Sequence, residues 1–168
     1  MFLTILGVLS LIVIYVIGKF LRKNIVEIII ISLLIGLFFE MTMFPMFIYD
    51  TSKVTFFFTI ENRNIPIGII LSWGCVLSFS YLLTKLLLNK LLKSSSNLSF
   101  FLSSLISILI TGVPSEFLGY YMGYWKYSFG GVSLIYNIPW TAILGWIFFG
   151  TTFLATIRVY EKGTKKIR

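Results

Sequence analysis

Apolar positions along the chain neither alternate nor trace a single helical stripe. They run in five long stretches, about 2–18, 25–48, 65–88, 98–124 and 138–157, bounded by charge or by Gly, Pro and Asn. Since about 20 apolar residues cross a bilayer as a helix, the pattern predicts five transmembrane helices. The expected fold class is an all-α polytopic membrane protein in a single integral domain, residues 1–168. The first stretch has no basic leader ahead of it and is followed by Lys19, Arg22 and Lys23, so it reads as a retained helix rather than a cleaved signal.

The polar residues between the stretches set an orientation. With connections placed alternately on two sides, one side carries Lys19, Arg22, Lys23, Lys85, Lys90, Lys93, Arg158, Lys162, Lys165, Lys166 and Arg168. The other carries Lys53, Arg63 and Lys126. The positive-inside rule puts the larger set in the cytoplasm, giving an N-out, C-in expectation with residues 158–168 as a basic cytoplasmic tail. The same distribution accounts for the net charge of +8 without a nucleic-acid partner. In a bacterium or archaeon the expected location is the cell (plasma) membrane, and the sequence does not exclude a eukaryotic organelle.

Composition narrows the chemistry. A chain 58% hydrophobic and 12% charged leaves no length for a separate soluble domain, and with no His and one Cys it lacks the ligands of haem, zinc-hydrolase and Ser-His-Asp sites. No metal and no cofactor is expected. Carboxylates, Tyr and Lys remain for proton chemistry.

Self-similarity then singles out particular carboxylates. Asn64-Ile65-Pro66 leads to Trp73, and Asn137-Ile138-Pro139 leads to Trp146 at the same spacing; upstream, Gly36 stands four residues before Glu40 and Gly112 four before Glu116. Asn capping a helix with Pro in its first turn explains either entry alone, but four features recurring in order predict a tandem parallel repeat. Helix 1 (about 2–18) stands outside it, repeat A covers about 25–88 and repeat B about 98–157.

Helical rise places Trp73 and Trp146 roughly 10 Å below the entry prolines, and places Glu40 and Glu116 about 15 Å deep if their helices stay regular to Asp50 and Lys126. Pro45 and Pro114 are positions where those helices are expected to kink or break. Asp50 and Glu61 fall at the outer surface and read as solvated. Residues 54–60 and 127–136, the latter with a Gly130-Gly131 hairpin signal, read either as a strand-built lid or as interfacial segments.

A carboxylate inside hydrocarbon is costly unless paired, hydrated or protonated, and no cation lies at comparable depth. A carboxylic acid held neutral is a ready proton donor. Around it the aromatic faces of Trp73, Trp146, Trp125, Tyr120 and Tyr127 can stabilise a cation, and Tyr120, four residues from Glu116 on one helical face, can hold or relay its proton. Acid plus aromatic walls suits protonation of an alkene. Two other readings use the same residues: a small transporter or channel binding a cation or proton at Glu40 and Glu116, and a non-catalytic membrane subunit in which the carboxylates are interhelical hydrogen bonds.

The segment Glu116-Phe117-Leu118-Gly119-Tyr120-Tyr121-Met122-Gly123-Tyr124-Trp125-Lys126-Tyr127, followed by Ile138-Pro139 and Trp146, resembles the membrane carotenoid-biosynthesis family that includes bisanhydrobacterioruberin hydratases, over about residues 112–157. The resemblance implies acid-initiated addition of water to an isoprenoid double bond; the related small lycopene cyclases share the opening step and let an internal alkene capture the cation. On this reading Glu116 is the proton donor and Glu40 a second acid, base or water-positioning group. Trp73, Trp146, Tyr120, Tyr127, Trp125, Gly119 and Gly123 would line the substrate site. The partners expected are an apolar isoprenoid lipid and the membrane lipids, with an oligomer or other membrane subunits as a further option.

Overall fold

The computed structural model describes the whole chain except residues 1, 22–23, 44–45, 51, 54–56, 61–62, 94–95, 129–132, 136–137 and 168. Its helices are α1 (Phe2–Phe20), α2 (Ile25–Met43), α3 (Ile67–Leu86), α4 (Asn97–Tyr121) and α5 (Trp140–Ile167). All five are long and apolar enough to cross a membrane. The protein is an all-α polytopic membrane protein.

Helix α3 is the hub: α1, α2 and α4 pack on it, and α5 packs on α4. Over half of its apolar span is buried, against 17% for α1. The surface is correspondingly apolar, with Leu34, Phe38, Leu118 and Phe148 each more than half exposed, while the interior takes small hydroxyl side chains. Ser32, Ser78, Ser80, Ser103 and Ser107 are fully buried. That inversion follows from the solvent: lipid offers no hydrophobic drive between helices, so close approach through small residues and internal hydrogen bonds decide the packing.

Short strands crown one end of the bundle. β1 (Phe47–Tyr49) pairs antiparallel with β4 (Trp125–Tyr127), β2 (Phe57–Ile60) with β3 (Arg63–Pro66), and β5 (Ser133–Ile135) with β6 (Ile138–Pro139). The β1–β4 ladder joins the two halves of the chain, with Phe47 opposite Tyr127 and Tyr49 opposite Trp125. Opposed residues of a ladder share a face. Thus Phe47, Tyr49, Trp125 and Tyr127 lie on one side, and Ile48 and Lys126 stand exposed on the other.

Several sequence expectations change. Helix α2 ends at Met43 and α4 at Tyr121, so Glu40 and Glu116 sit about one turn or so from their helix ends, not 15 Å deep by helical rise. Helix α4 passes through Pro114 without a break, as membrane helices can. Pro45 and Gly130-Gly131 lie outside the described residues. Residues 125–127 pair with β1 across the repeat instead of folding on their own neighbours.

The basic tail is also helical. After a π-helical turn (Leu87–Leu92) that extends α3, the chain returns through α4 to α5, which continues to Ile167. Arg, Lys, Glu and Ile tolerate helix well, and the tail is anchored: the Arg158 guanidinium lies 4.3 Å from the Phe100 ring centre. Glu161 accepts from the Tyr81 hydroxyl and pairs with Lys85.

Candidate functional site

Both repeats build the same local arrangement. A side chain added at Gly36 would strike Trp73, its Cβ 2.5 Å from that residue's Cβ; one added at Gly112 would strike the indole of Trp146 at 2.4 Å. Each glycine therefore lets the following helix bring its Trp against the helix that bears the Glu. One turn on, the indole donates to the carboxylate: Trp73 Nε1 to Glu40 Oε1 at 2.8 Å, and Trp146 Nε1 to Glu116 Oε2 at 2.8 Å. The two indoles stack, centres 4.2 Å apart and planes at 25°.

A second set of donors comes from the strand ladder. The Tyr49 hydroxyl donates to Glu40 Oε2; Tyr127 donates to Glu116 Oε1 at 2.5 Å and Trp125 Nε1 to the same oxygen at 3.1 Å. Every carboxylate oxygen thus accepts at least one N–H or O–H. Glu40 is 3% and Glu116 5% exposed, so their burial comes from protein folded over them and not from depth in lipid. Burial and the adjacent carboxylates hold the Tyr49 and Tyr127 phenols above their ordinary range, keeping both as donors.

The turn that achieves this is legible at the backbone. Gly123 has φ +69, and after α4 the amide of Gly123 donates to the Tyr120 carbonyl while that of Tyr124 donates to Gly119. This is a Schellman closure, in which glycine is favoured at the left-handed position. It reverses the chain so that Trp125 and Tyr127 fall back on Glu116. The indole of Trp125 lies directly over Gly119, where an added Cβ would come within 1.7 Å of the ring.

Glu40, Glu116, Trp73 and Trp146 border a cavity of about 350 Å³ that also takes in Tyr49 and Trp125. The remaining walls are mainly apolar, from α1, α3 and α4. A second cavity of about 170 Å³ shares both carboxylates and both indoles and is completed by Phe39, Ala142, Gly145, Phe149 and Tyr127. Glu40 and Glu116 are the only ionisable carboxylates, and no Lys or Arg appears, among the described residues lining either space.

The structure accordingly brings together Glu40, Glu116, Trp73, Trp146, Trp125 and Tyr127. Gly119 borders the larger cavity as the seat for Trp125, while Gly123 acts as the turn. Tyr120 stands one step away: its ring stacks on Tyr127 at 5.6 Å and so braces that donor instead of meeting Glu116. Asp50 is solvated as expected, its carboxyl held below the usual range first by the Ser52 hydroxyl. Glu61 lies outside the described residues. Tyr49 and Phe47 were missed, although a signal existed: Tyr49 follows Glu40 by the nine residues that separate Trp125 from Glu116.

No family model, curated protein or solved structure matches this chain.

Proposed function

We propose that the protein carries out an intramembrane acid-catalysed transformation, hydration or cyclisation, of a carotenoid or other isoprenoid lipid. The observation that carries this reading is the convergence of two carboxyl groups on one apolar, aromatic-walled cavity without a cation to neutralise them. In the proposed step Glu116 transfers its proton to a carbon of a substrate alkene, and the alkene electron pair forms the new C–H bond. The adjacent carbon becomes cationic and is met by the faces of Trp73 and Trp146. Trp125, Tyr127 and Trp146 hold the Glu116 carboxylate left behind, donors arranged before charge develops. Water then adds to the cation and loses a proton to a carboxylate, or a second alkene adds and a neighbouring C–H gives its proton to the Glu116 carboxylate while its electron pair forms the new double bond.

One feature favours a second reading. All five indole and phenol donors point at the carboxylates, an arrangement that also suits two anions binding a cation in an aromatic box, as in a small transporter. The two readings separate by experiment. Lipid extracts from cells with and without the gene, compared by mass spectrometry, should show a polyene changed by one water or by ring closure. Glu116→Gln should insert and fold but yield no product. Full turnover by that variant would remove Glu116 from the proton-donor role, and Glu40- and Glu116-dependent cation flux in proteoliposomes would favour transport.

A further inference from the structure

The two cavities are counterparts under the repeat. Shifting α3 onto α5 by 73 residues takes Ile69 to Ala142, Ser72 to Gly145, Trp73 to Trp146 and Val76 to Phe149, while shifting α2 onto α4 by 76 takes Phe39 to Ser115 and Glu40 to Glu116. Members of each of these pairs line opposite cavities, except for the Glu and Trp pairs, which line both. The larger space follows the seam between α3 and α4. The smaller follows the equivalent seam between α5 and α2, narrowed where Phe39 and Phe149 meet at 4.1 Å in place of Ser115 and Val76.

Both spaces reach the surface of the bundle. Leu6, Leu118 and Met122 at the larger one are exposed, as are Met46 and Thr141 at the smaller. Among the described residues lining both spaces the two carboxylates are the only charged-type groups, so a phosphate or carboxylate headgroup inside would meet repulsion; Lys53, which donates to the Met122 carbonyl, stands at the rim of the larger space and not in its lining. A neutral chain meets aromatic and aliphatic walls throughout. The smaller space, at about 170 Å³, is below the size that accommodates a whole drug-sized ligand, so it fits part of a molecule whose remainder lies elsewhere.

We infer that the two cavities form one passage across the bundle in the plane of the membrane, and that the substrate is a linear, neutral hydrocarbon chain threaded through it. The chain lies with one arm in each cavity and its reacting double bond between Glu40 and Glu116. This rests on the reading above and adds to it: the substrate must be longer than the larger cavity alone, and both seams must be open. Cavity width also orders the arms. The broad α3–α4 side takes the bulkier or folding end, the narrow α5–α2 side an extended chain.

Gly145 offers a clean test, because a Cβ there meets nothing closer than Phe149 at 3.9 Å and the position tolerates a side chain that fills the narrow arm. Purified protein is titrated with phytofluene, a long linear neutral polyene whose absorption overlaps tryptophan emission, and binding is read as energy transfer from the indoles. The short linear hydrocarbon β-farnesene is the competitor. Wild type should bind both. Gly145→Leu should weaken phytofluene by about tenfold or more while β-farnesene binds as in wild type; Gly145→Ala should keep both, and Ser72→Leu, in the broad arm, should lose both.

Wild-type affinity of Gly145→Leu for phytofluene would overturn the threaded passage while leaving the acid-site reading standing. Equal loss of both hydrocarbons in a Gly145→Leu protein that elutes like wild type would overturn the division into two arms. Wild-type protein that binds neither hydrocarbon would overturn the isoprenoid reading itself.

Discussion

Trp146 presents two things to the site, a stacked aromatic face and an N–H bond to Glu116, and they are separable. Trp146→Phe keeps a face against Trp73 and removes only the donor. A hydrogen bond to a charged group contributes about 1.5–3 kcal/mol, so product formation in lipid extracts should fall roughly 10- to 100-fold, with insertion and folding intact. An unchanged rate would show that Trp146 acts through its ring alone. Gly119 is a different case: a methyl group there collides with Trp125 at 1.7 Å. Gly119→Ala should cost about 1–3 kcal/mol, in the range of overpacking, visible as a lowered thermal midpoint in detergent. The two carboxylates, their helical Trp partners, Trp125 and Tyr127 were legible in the sequence because spacing repeats and charge in an apolar run stands out. Tyr49 carried only its nine-residue spacing from Glu40 as a signal, and the bracing role of Tyr120 carried none, because both depend on where β4 folds back and which strand it takes as a partner. That choice, β1 of the other repeat, is a long-range pairing that no local pattern encodes.

At the scale of elements, the five spans were readable to within a few residues, since apolar length is what the bilayer demands. Their ends were less so. Hydropathy continued the second and fourth spans beyond Met43 and Tyr121 because the residues that follow, such as Phe47 and Ile48 in one and Met122 and Tyr124 in the other, are apolar although they belong to the strands and turn that fold over the acids. It stopped the fifth span at 157 because a charged helix leaving the membrane carries no apolar signal. The seam between α3 and α4 shows what holds the hub. Ser80 meets Thr111 at 2.6 Å and Thr84 donates to Ser107 at 2.9 Å, one turn apart. Ser103 and Ser104 are buried with their hydroxyls unpartnered among the described residues. Interhelical hydrogen bonds in membranes average about 0.6 kcal/mol, so Thr84→Val should lower stability by about that much. Ser103→Ala and Ser104→Ala remove an unsatisfied hydroxyl and should leave stability unchanged or raise it. Stability measured by reversible unfolding in mixed micelles distinguishes them, and a large loss for both alanine variants would mean that those hydroxyls are bonded.

For the whole molecule, the strand layer marks the end of the bundle that holds Glu40 and Glu116, and the distribution of charge predicts which way that end faces. Lys19 closes α1, Lys85 and Lys90 lie where α3 runs out, and Arg158 and Lys162 extend α5, all at the end away from the β1–β4 ladder. Lys53 and Lys126 lie at the ladder end. The positive-inside rule therefore predicts that Glu40 and Glu116 face the outer leaflet, within reach of water from outside and of hydrocarbon from the bilayer. In a Cys75→Ser background, a membrane-impermeant maleimide should label Lys126→Cys in intact cells and Lys90→Cys only after permeabilisation. Both positions are exposed, so accessibility reports sidedness and not burial. The reverse labelling would turn the acid pair toward the cytoplasm, and any water consumed in the reaction would then come from that side.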